Sequence, residues 1–506
     1  MLHGDILGQR ARISPDEPAL VVVASGERLT YRELDAGATR CGQIWRRELG
    51  LEKGDRCAIL AENRREYLEA FFACGKTGVI LVPLNTRLAA RELTQILEDS
   101  GARALMYSDA SAGVAAELRG VAALERLVAL DDPTNDGDLD YGRLPATYPD
   151  LPPAACAPDD IHCLLYTSGT TGKPKGVMVP QRQIAWNGYN TAINWQLRAD
   201  DVSPVFVPLF HAGGLGAFLV PILTAGGTIV LHDRFDPAEV LSTIERERCT
   251  VVLGVPTIFK MLLETPELER TSLEHVRWFI SGGAPLPVEL VEAYHARGVV
   301  LRQGYGLTEV GPNCFAMSSS EALSKRGSIG RPLMFAGASV RGPEGRELPP
   351  GEVGELWLRG PHVSLGYWHN PDATRAVYDA EGWFHTGDLA RRDAEGFFYI
   401  SGRAKDMFIS GGENVYPVEV ENALLQHPHV RDAAVIGVPD PKWGEVGIAF
   451  LEGNGVRVAG EDLTAFLEKR LARYKIPRRF LFVESLPRTA YGKVKKGDLL
   501  ALYSPV

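Results

Sequence analysis

Residues 166–177 read YTSGTTGKPKGV and directly follow the apolar segment IHCLL at 161–165. Gly169, Gly172 and Gly176 let backbone N–H groups turn toward an anion. Thr167, Ser168, Thr170 and Thr171 add hydroxyl donors, and Lys173 and Lys175 add positive charge. A nucleoside triphosphate is the ligand that suits this set. If the apolar segment is a buried strand, the run lies beyond a strand's carboxyl end, where open α/β sheets bind ligands. The spacing is not that of a P-loop, because Gly169 precedes Gly172 by three residues and Pro174 follows Lys173. By composition alone, a solvent loop or interdomain linker is the alternative.

The elements that must position this run follow a strand–helix alternation. Residues 17–23 and 29–31 suggest strands, and Tyr31-Arg32-Glu33-Leu34 opens an amphipathic helix. Buried strands are expected at 56–60 and 78–84 around a helix at 66–76, the βαβ grammar of a parallel sheet. Further strands are expected at 228–231, 249–253, 278–281 and 299–305, with helices at 237–247 and 287–295 between them. From Ser339 the pattern shortens to strands and turns, and a boundary is expected near Gly402-Arg403. Helices at 417–426 and 461–470 and strands at 433–438 and 480–483 then suit a small α+β domain. The expected organisation is therefore α/β: a large N-terminal body of parallel α/β sheets over 1–402, with a β-rich subdomain at about 339–402, then a small mobile α+β domain over 403–506.

A chain of 506 residues has ample length for large cores without small-scaffold staples. Its seven cysteines are odd in number and form no C-x-x-C, which reads as free thiols in a reducing compartment rather than a zinc site or disulfide frame. The formal charge of −10 gives no reason to expect nucleic-acid binding. No signal peptide is read at the amino terminus, and the cytoplasm is the expected location. Residues 204–231 lack any Asp, Glu, Lys or Arg, but Pro204, Pro208, Pro221, the Gly pairs and His211 break them into short buried elements rather than a membrane span.

As spelled, 166–177 resembles the phosphate-binding signature of the acyl-adenylate-forming superfamily, which includes acyl-CoA synthetases, luciferases and peptide-synthetase adenylation domains. Five later segments resemble the same superfamily in the same order. RQGYGLTE at 302–309 resembles the segment whose glycine backbone abuts adenine and acyl group. The resemblance implies that Gln303, Gly304, Tyr305 and Gly306, with Gly283, Ala284 and Pro285, surround the adenosine. It also implies that Thr308 contacts phosphate and Glu309 holds Mg²⁺, a hard cation suited to a carboxylate. WFHTGD at 383–388 resembles the motif whose aspartate, here Asp388, accepts from both ribose hydroxyls. YISGRAKD at 399–406 resembles the hinge motif, with Arg403 reaching ribose and Lys405 as the swivel. For Arg403 and Lys405 the plain alternative is a structural salt bridge.

SGGENVYP at 410–417 resembles the loop that lines the pantetheine tunnel, implying Gly411, Gly412 and Glu413 there. LPRTAYGKV at 486–494 resembles the motif carrying the catalytic lysine of adenylation, here Lys493, with Tyr491 where many relatives place Ser or Asn. Gln181 stands where histidine is frequent. The implied activity is an acyl-CoA ligase using ATP, Mg²⁺ and coenzyme A, with a small-molecule carboxylic acid as partner and a homodimer compatible with it. The acyl pocket is expected from His211, Gly213, Gly282, Gly283, Gly304, Gly311, Pro312 and Cys314, segments with no Lys or Arg to neutralise a second carboxylate. A monocarboxylate with an apolar body follows, a fatty acid first and an aryl or phenylpropanoid acid second. A free-standing adenylation enzyme serving an acyl carrier protein is the alternative enzyme. An inactive nucleotide-binding regulator is the alternative class, against which Glu309, Asp388, Arg403 and Lys493 argue.

Overall fold

The computed structural model describes residues 4–133, 135–148, 154–168, 174–411, 413–456, 458–488 and 494–503. Of the expected site residues, Gly169, Thr170, Thr171, Gly172, Lys173, Gly412 and Lys493 lie outside the described residues.

One seven-stranded sheet runs in the order Leu139–Asp140, Arg126–Ala129, Ala104–Tyr107, Arg56–Leu60, Ile80–Pro83, Ile161–Ser168, Pro174–Pro180. The first six are parallel and the last returns antiparallel. Successive strand side chains point to opposite faces, so Cys57 and Ile59 join one core while Ala58 and Leu60 join another. Helices cover both faces: Tyr31–Arg47 and Arg65–Thr77 on the first, Ala90–Ser100 and Ala112–Leu118 on the second. That double cover is why these strands read as continuous apolar runs rather than alternating ones. Tyr31–Arg47 is started by a capping box, the Thr30 hydroxyl taking Glu33 N–H and the Glu33 carboxylate taking Thr30 N–H. Its Leu34, Ala38, Cys41 and Trp45 form the buried stripe.

A second sheet runs Val202–Val205, Thr228–Leu231, Pro18–Val22, Arg28–Thr30. Thr250 N–H donates to Val202 O at 2.8 Å and links it to a parallel trio, Val251–Gly254, Trp278–Ser281 and Leu301–Gln303. The charge-free stretch at 204–231 is the end of one strand, a π-helical turn Gly213–Leu219, a short helix Val220–Ala225 and a strand. No helix among the described residues is long and apolar enough to cross a membrane. All seven cysteines are free of disulfides and buried.

The β-rich subdomain is an antiparallel sheet of Gly337–Arg341, Val353–Arg359, Phe384–Arg392 and Phe398–Arg403. Beyond it, Phe408–Ser410, Glu413–Val415, Val430–Asp440, Gly444–Gly453 and Arg479–Val483 form a sheet with separate apolar clusters on its two faces. Helices Pro417–Leu425 and Gly460–Glu468 cover one face and Lys496–Leu502 the other.

One expectation changes. The described ends of the phosphate-binding run are strand: one strand reaches Ser168, Thr167 pairs with Lys175, and a second, antiparallel strand begins at Pro174. Val177 and Val179 suit a pleated, half-buried surface and are buried there, and the helix Gln181–Asn194 follows only after that strand.

Candidate active site

The carboxyl ends of Trp278–Ser281 and Leu301–Gln303 lie side by side, since Gly304 N–H donates to Ser281 O at 2.7 Å. They feed two glycine segments, 282–285 and 304–306, at the edge where parallel sheets bind ligands. Glycine is required at one point in particular. A Cβ on Gly306 would stand 2.2 Å from the Pro312 backbone, because the chain folds back there and Cys314 N–H donates to Tyr305 O at 2.9 Å.

Between these points sits a single turn, Thr308–Val310, carrying Glu309. The Tyr367 hydroxyl donates to Glu309 Oε1 at 2.9 Å, and Ser364 N–H donates to the Glu309 carbonyl at 2.7 Å. Lys175 Nζ lies 5.1 Å from the Tyr367 ring centre, within cation–π range. Tyr367 is placed by backbone pairing, since residues 365–368 run alongside the outer hairpin strand: Leu365 N–H to Met178 O at 3.0 Å and Trp368 N–H to Gly176 O at 2.8 Å. Burial and the neighbouring Glu309 charge push the Tyr367 phenol far above its ordinary value, so it stays a donor.

Asp388 is buried in register opposite Arg403 on adjacent antiparallel strands. Arg403 Nε meets Asp388 Oδ1 at 2.7 Å, and the Tyr305 hydroxyl donates to Asp388 Oδ2 at 2.5 Å. The salt bridge weighed for Arg403 is therefore present, and it joins the two residues expected at ribose. An ionised carboxylate has about four lone-pair sites, so Asp388 keeps acceptor capacity for ribose hydroxyls while its two partners hold it in place. Burial and Asp388 together raise Tyr305 well above its ordinary value.

The network thus runs from Lys175 through Tyr367 to Glu309, along the same segment back to Tyr305, and on to Asp388 and Arg403. Lys405 follows in an exposed turn before the next strand. Gly411, with φ of 63°, donates its N–H to Trp443 O at 2.8 Å, and Glu413 is exposed beside it.

An apolar cavity adjoins this network. Phe71, Leu165, Val179, Ile184, Leu215 and Pro312 form its walls, with Thr308, Gln183 and Asn187 as polar members. Among the eight residues expected at the acyl pocket, Pro312 is the one that lines it. Cys314 is fully buried in the cluster with Phe315 and Val340, and its thiol points at the Val310 and Gly311 carbonyls at 3.3 and 3.4 Å. It braces the turn from behind, because the fold-back at Gly306 carries 314 into the β-rich core. His211 is half-buried, and desolvation of its ring with the nearby Arg87 charge pushes it well below its ordinary value. Tyr367, Gln183, Asn187 and Arg87 lie outside the sequence motifs. Gln181 proves to be a strut, its Oε1 facing His162 Nδ1 at 2.9 Å and its Nε2 donating to Cys74 O at 3.3 Å.

The "AMP-binding enzyme" family model matches residues 7–368, and the "AMP-binding enzyme C-terminal domain" model matches 419–493. The chain belongs to the AMP-binding enzyme family. It is 43% identical over 97% of its length to a feruloyl-CoA synthase from an Amycolatopsis species, covering 97% of that protein. It is 38% identical over 99% of its length to a long-chain-fatty-acid–CoA ligase of Mycobacterium tuberculosis, covering 98% of it. Among solved structures it resembles the o-succinylbenzoate CoA synthetase of Bacillus subtilis in complex with its acyl-adenylate intermediate. There the TM-score is 0.86 at 34% identity, with 98% of each chain covered.

In an AMP-binding enzyme the fit of Mg²⁺ can be tested on the residues present. Among the described residues no cluster of three or more acidic, His or Cys ligands exists. Mg²⁺ held by one carboxylate, Glu309, together with substrate phosphates needs no such cluster, and the residues present fit it. Tyr367 orients that carboxylate. Tyr367→Phe is expected to raise the Mg²⁺ concentration for half-maximal ATP–pyrophosphate exchange about tenfold, as when one hydrogen bond to a charged group is lost. An unchanged Mg²⁺ titration would assign Tyr367 to packing alone.

Proposed function

We propose that this AMP-binding enzyme is an ATP-dependent acyl-CoA ligase: it activates an apolar monocarboxylic acid as an acyl-adenylate and transfers the acyl group to coenzyme A, releasing pyrophosphate and then AMP. The observation that carries the reading is the connected network from Lys175 through Tyr367, Glu309 and Tyr305 to Asp388 and Arg403. It sets the cation Lys175 and the carboxylates Glu309 and Asp388 along one path, an arrangement suited to the phosphates, metal and ribose of a nucleotide.

A carboxylate is a poor electrophile, because its charge deters nucleophiles and its leaving oxide is strongly basic. Transfer of AMP corrects both. The acyl carboxylate attacks the α-phosphorus in line, and pyrophosphate departs against the hairpin that carries Thr167 and Lys175. Mg²⁺, when bound, supplies positive charge to the phosphate oxygens. Glu309 orients that site, Asp388 and Arg403 fix the ribose, and Lys493 shares the charge that develops in the transition state. A thiol then displaces AMP. A diffusible thiol, coenzyme A, is the simplest acceptor, and the two relatives named above are a CoA synthase and a CoA ligase by name.

Both relatives are named for apolar acids, one for a feruloyl group and one for long-chain fatty acids, and the cavity walls suit that class. The test is ATP–pyrophosphate exchange over a panel of aryl and fatty acids, followed by discharge of the adenylate with coenzyme A or with a holo carrier protein. Exchange with no acid would remove the ligase reading, and discharge to the carrier alone would replace the acceptor. Within this assay Glu309→Gln is expected to keep the fold and lower exchange at limiting Mg²⁺ by tens of fold, roughly 2 kcal/mol of lost metal binding. Full activity of that variant at limiting Mg²⁺ would take Glu309 out of the mechanism.

A further inference from the structure

The helix Gln181–Asn194 presents Gln183 and Asn187 one turn apart to the same cavity. Each amide is anchored through its nitrogen. Gln183 Nε2 donates to Thr308 O at 3.0 Å, and Asn187 Nδ2 donates to Gly216 O. Reversing either amide would set its oxygen against a backbone carbonyl oxygen, so the backbone fixes which end is left over. The remaining atoms, Gln183 Oε1 and Asn187 Oδ1, are buried and have no hydrogen-bond partner among the described residues. Gln183 and Asn187 are 3% and 2% exposed, so bulk water does not compensate them. An acceptor left unpaired in such a place costs about as much as a lost hydrogen bond, and two on one apolar cavity call for a ligand or a trapped water.

We infer that Gln183 and Asn187 select the acid by accepting a hydrogen bond from it, so that the preferred substrate is an apolar monocarboxylic acid bearing a hydroxyl group. This rests on the proposed ligase function. The cavity touches Thr308, on the segment proposed to hold the adenylate, so a group bound there would belong to the acid. Each amide nitrogen has a second N–H beyond the bond it donates, so the pair suits a neutral O–H, which can donate to an amide oxygen and accept from an amide N–H. Phenolic and aliphatic hydroxyls share this chemistry. A ring fixes its hydroxyl in place while a chain does not, and matched acids separate them.

The experiment compares kcat/KM in ATP–pyrophosphate exchange for cinnamic acid against its 3-hydroxy and 4-hydroxy forms, and for alkanoic acids against their ω-hydroxy forms. The wild-type enzyme is expected to favour the hydroxylated member of at least one pair by about 10- to 100-fold. The pair in which this appears names the source of the hydroxyl. Gln183→Leu and Asn187→Leu should bring that ratio down to about 1, whereas a purely structural role would lower both acids of a pair together. Equal rates within every pair, in an enzyme that does activate the parent acids, would overturn the inference and leave the oxygens to a buried water. So would a hydroxyl preference that survives in both variants. If a variant does not fold, the wild-type comparison still decides. Absence of exchange with every acid would instead fail the ligase reading on which this rests.

Discussion

Malonate and succinate are expected to be activated at least about a thousandfold less well than the best monocarboxylate, the cost of burying an unpaired charge at several kcal/mol. The walls of the cavity are mostly apolar, and none of its lining residues is a Lys or Arg that could neutralise a second carboxylate. The fold itself does not forbid a second acidic group, since a similar structure is described with a succinylbenzoyl adenylate. The wall residues decide. The cation to watch is Arg87, whose charge is felt at His211, although neither residue lines the cavity. Kinetics of AMP release across mono- and dicarboxylates check this. A dicarboxylate that outranks every fatty and aryl acid, and loses that rank in Arg87→Ala, would overturn the cavity assignment and put the acyl group beside Arg87 instead.

Motifs that carry chemistry in a short run were legible from sequence, and contacts that join distant runs were not. Asp388 and Arg403 were each expected at ribose, but their 2.7 Å pairing needs two strands in register, which spacing does not reveal. Tyr367 sits between motifs, on a segment whose role depends on pairing with the hairpin strand Pro174–Pro180. The strand pairing at the two ends of the phosphate-binding run is hidden by its glycine, threonine and lysine content, although Val177 and Val179 carry a strand signal. The parallel sheets were visible because strands covered on both faces spell unbroken apolar runs. Pocket walls were the least legible. Cys314 follows Pro312 by two residues, yet the tight turn at Gly306 sends one to the cavity and the other into the β-rich core. Gln183 and Asn187 show helical spacing, but only the carbonyls of Thr308 and Gly216 determine which amide atoms are left over.

Lys493→Ala is expected to slow adenylate formation by about two to three orders of magnitude, the loss of one positioned electrostatic contact. Thioester formation from synthetic acyl-adenylate should be nearly unchanged. The argument rests on chain order: Lys493 lies beyond Lys405, on the small domain that the hinge is proposed to rotate. Only one orientation would use it, sharing charge between acyl carboxylate and α-phosphate; the other would bring the segment around Gly411 to the adenylate for attack by the thiol. The local structure at 405 suits a swivel. Arg403 is tied to Asp388, while Lys405 is exposed in the following turn, whose backbone bonds are donated by Ala404, Asp406 and Met407. Proline at 405 deletes none of those bonds but fixes φ there and restricts Ala404. Lys405→Pro should therefore spare adenylation and impair thioester formation, the reverse of Lys493→Ala. Single-turnover kinetics of each half-reaction in both variants decide the matter. Equal losses of both half-reactions in Lys493→Ala, with thermal stability unchanged, would sink the rotation, because a lysine needed in both orientations cannot lie on a domain that carries it away from the site between them.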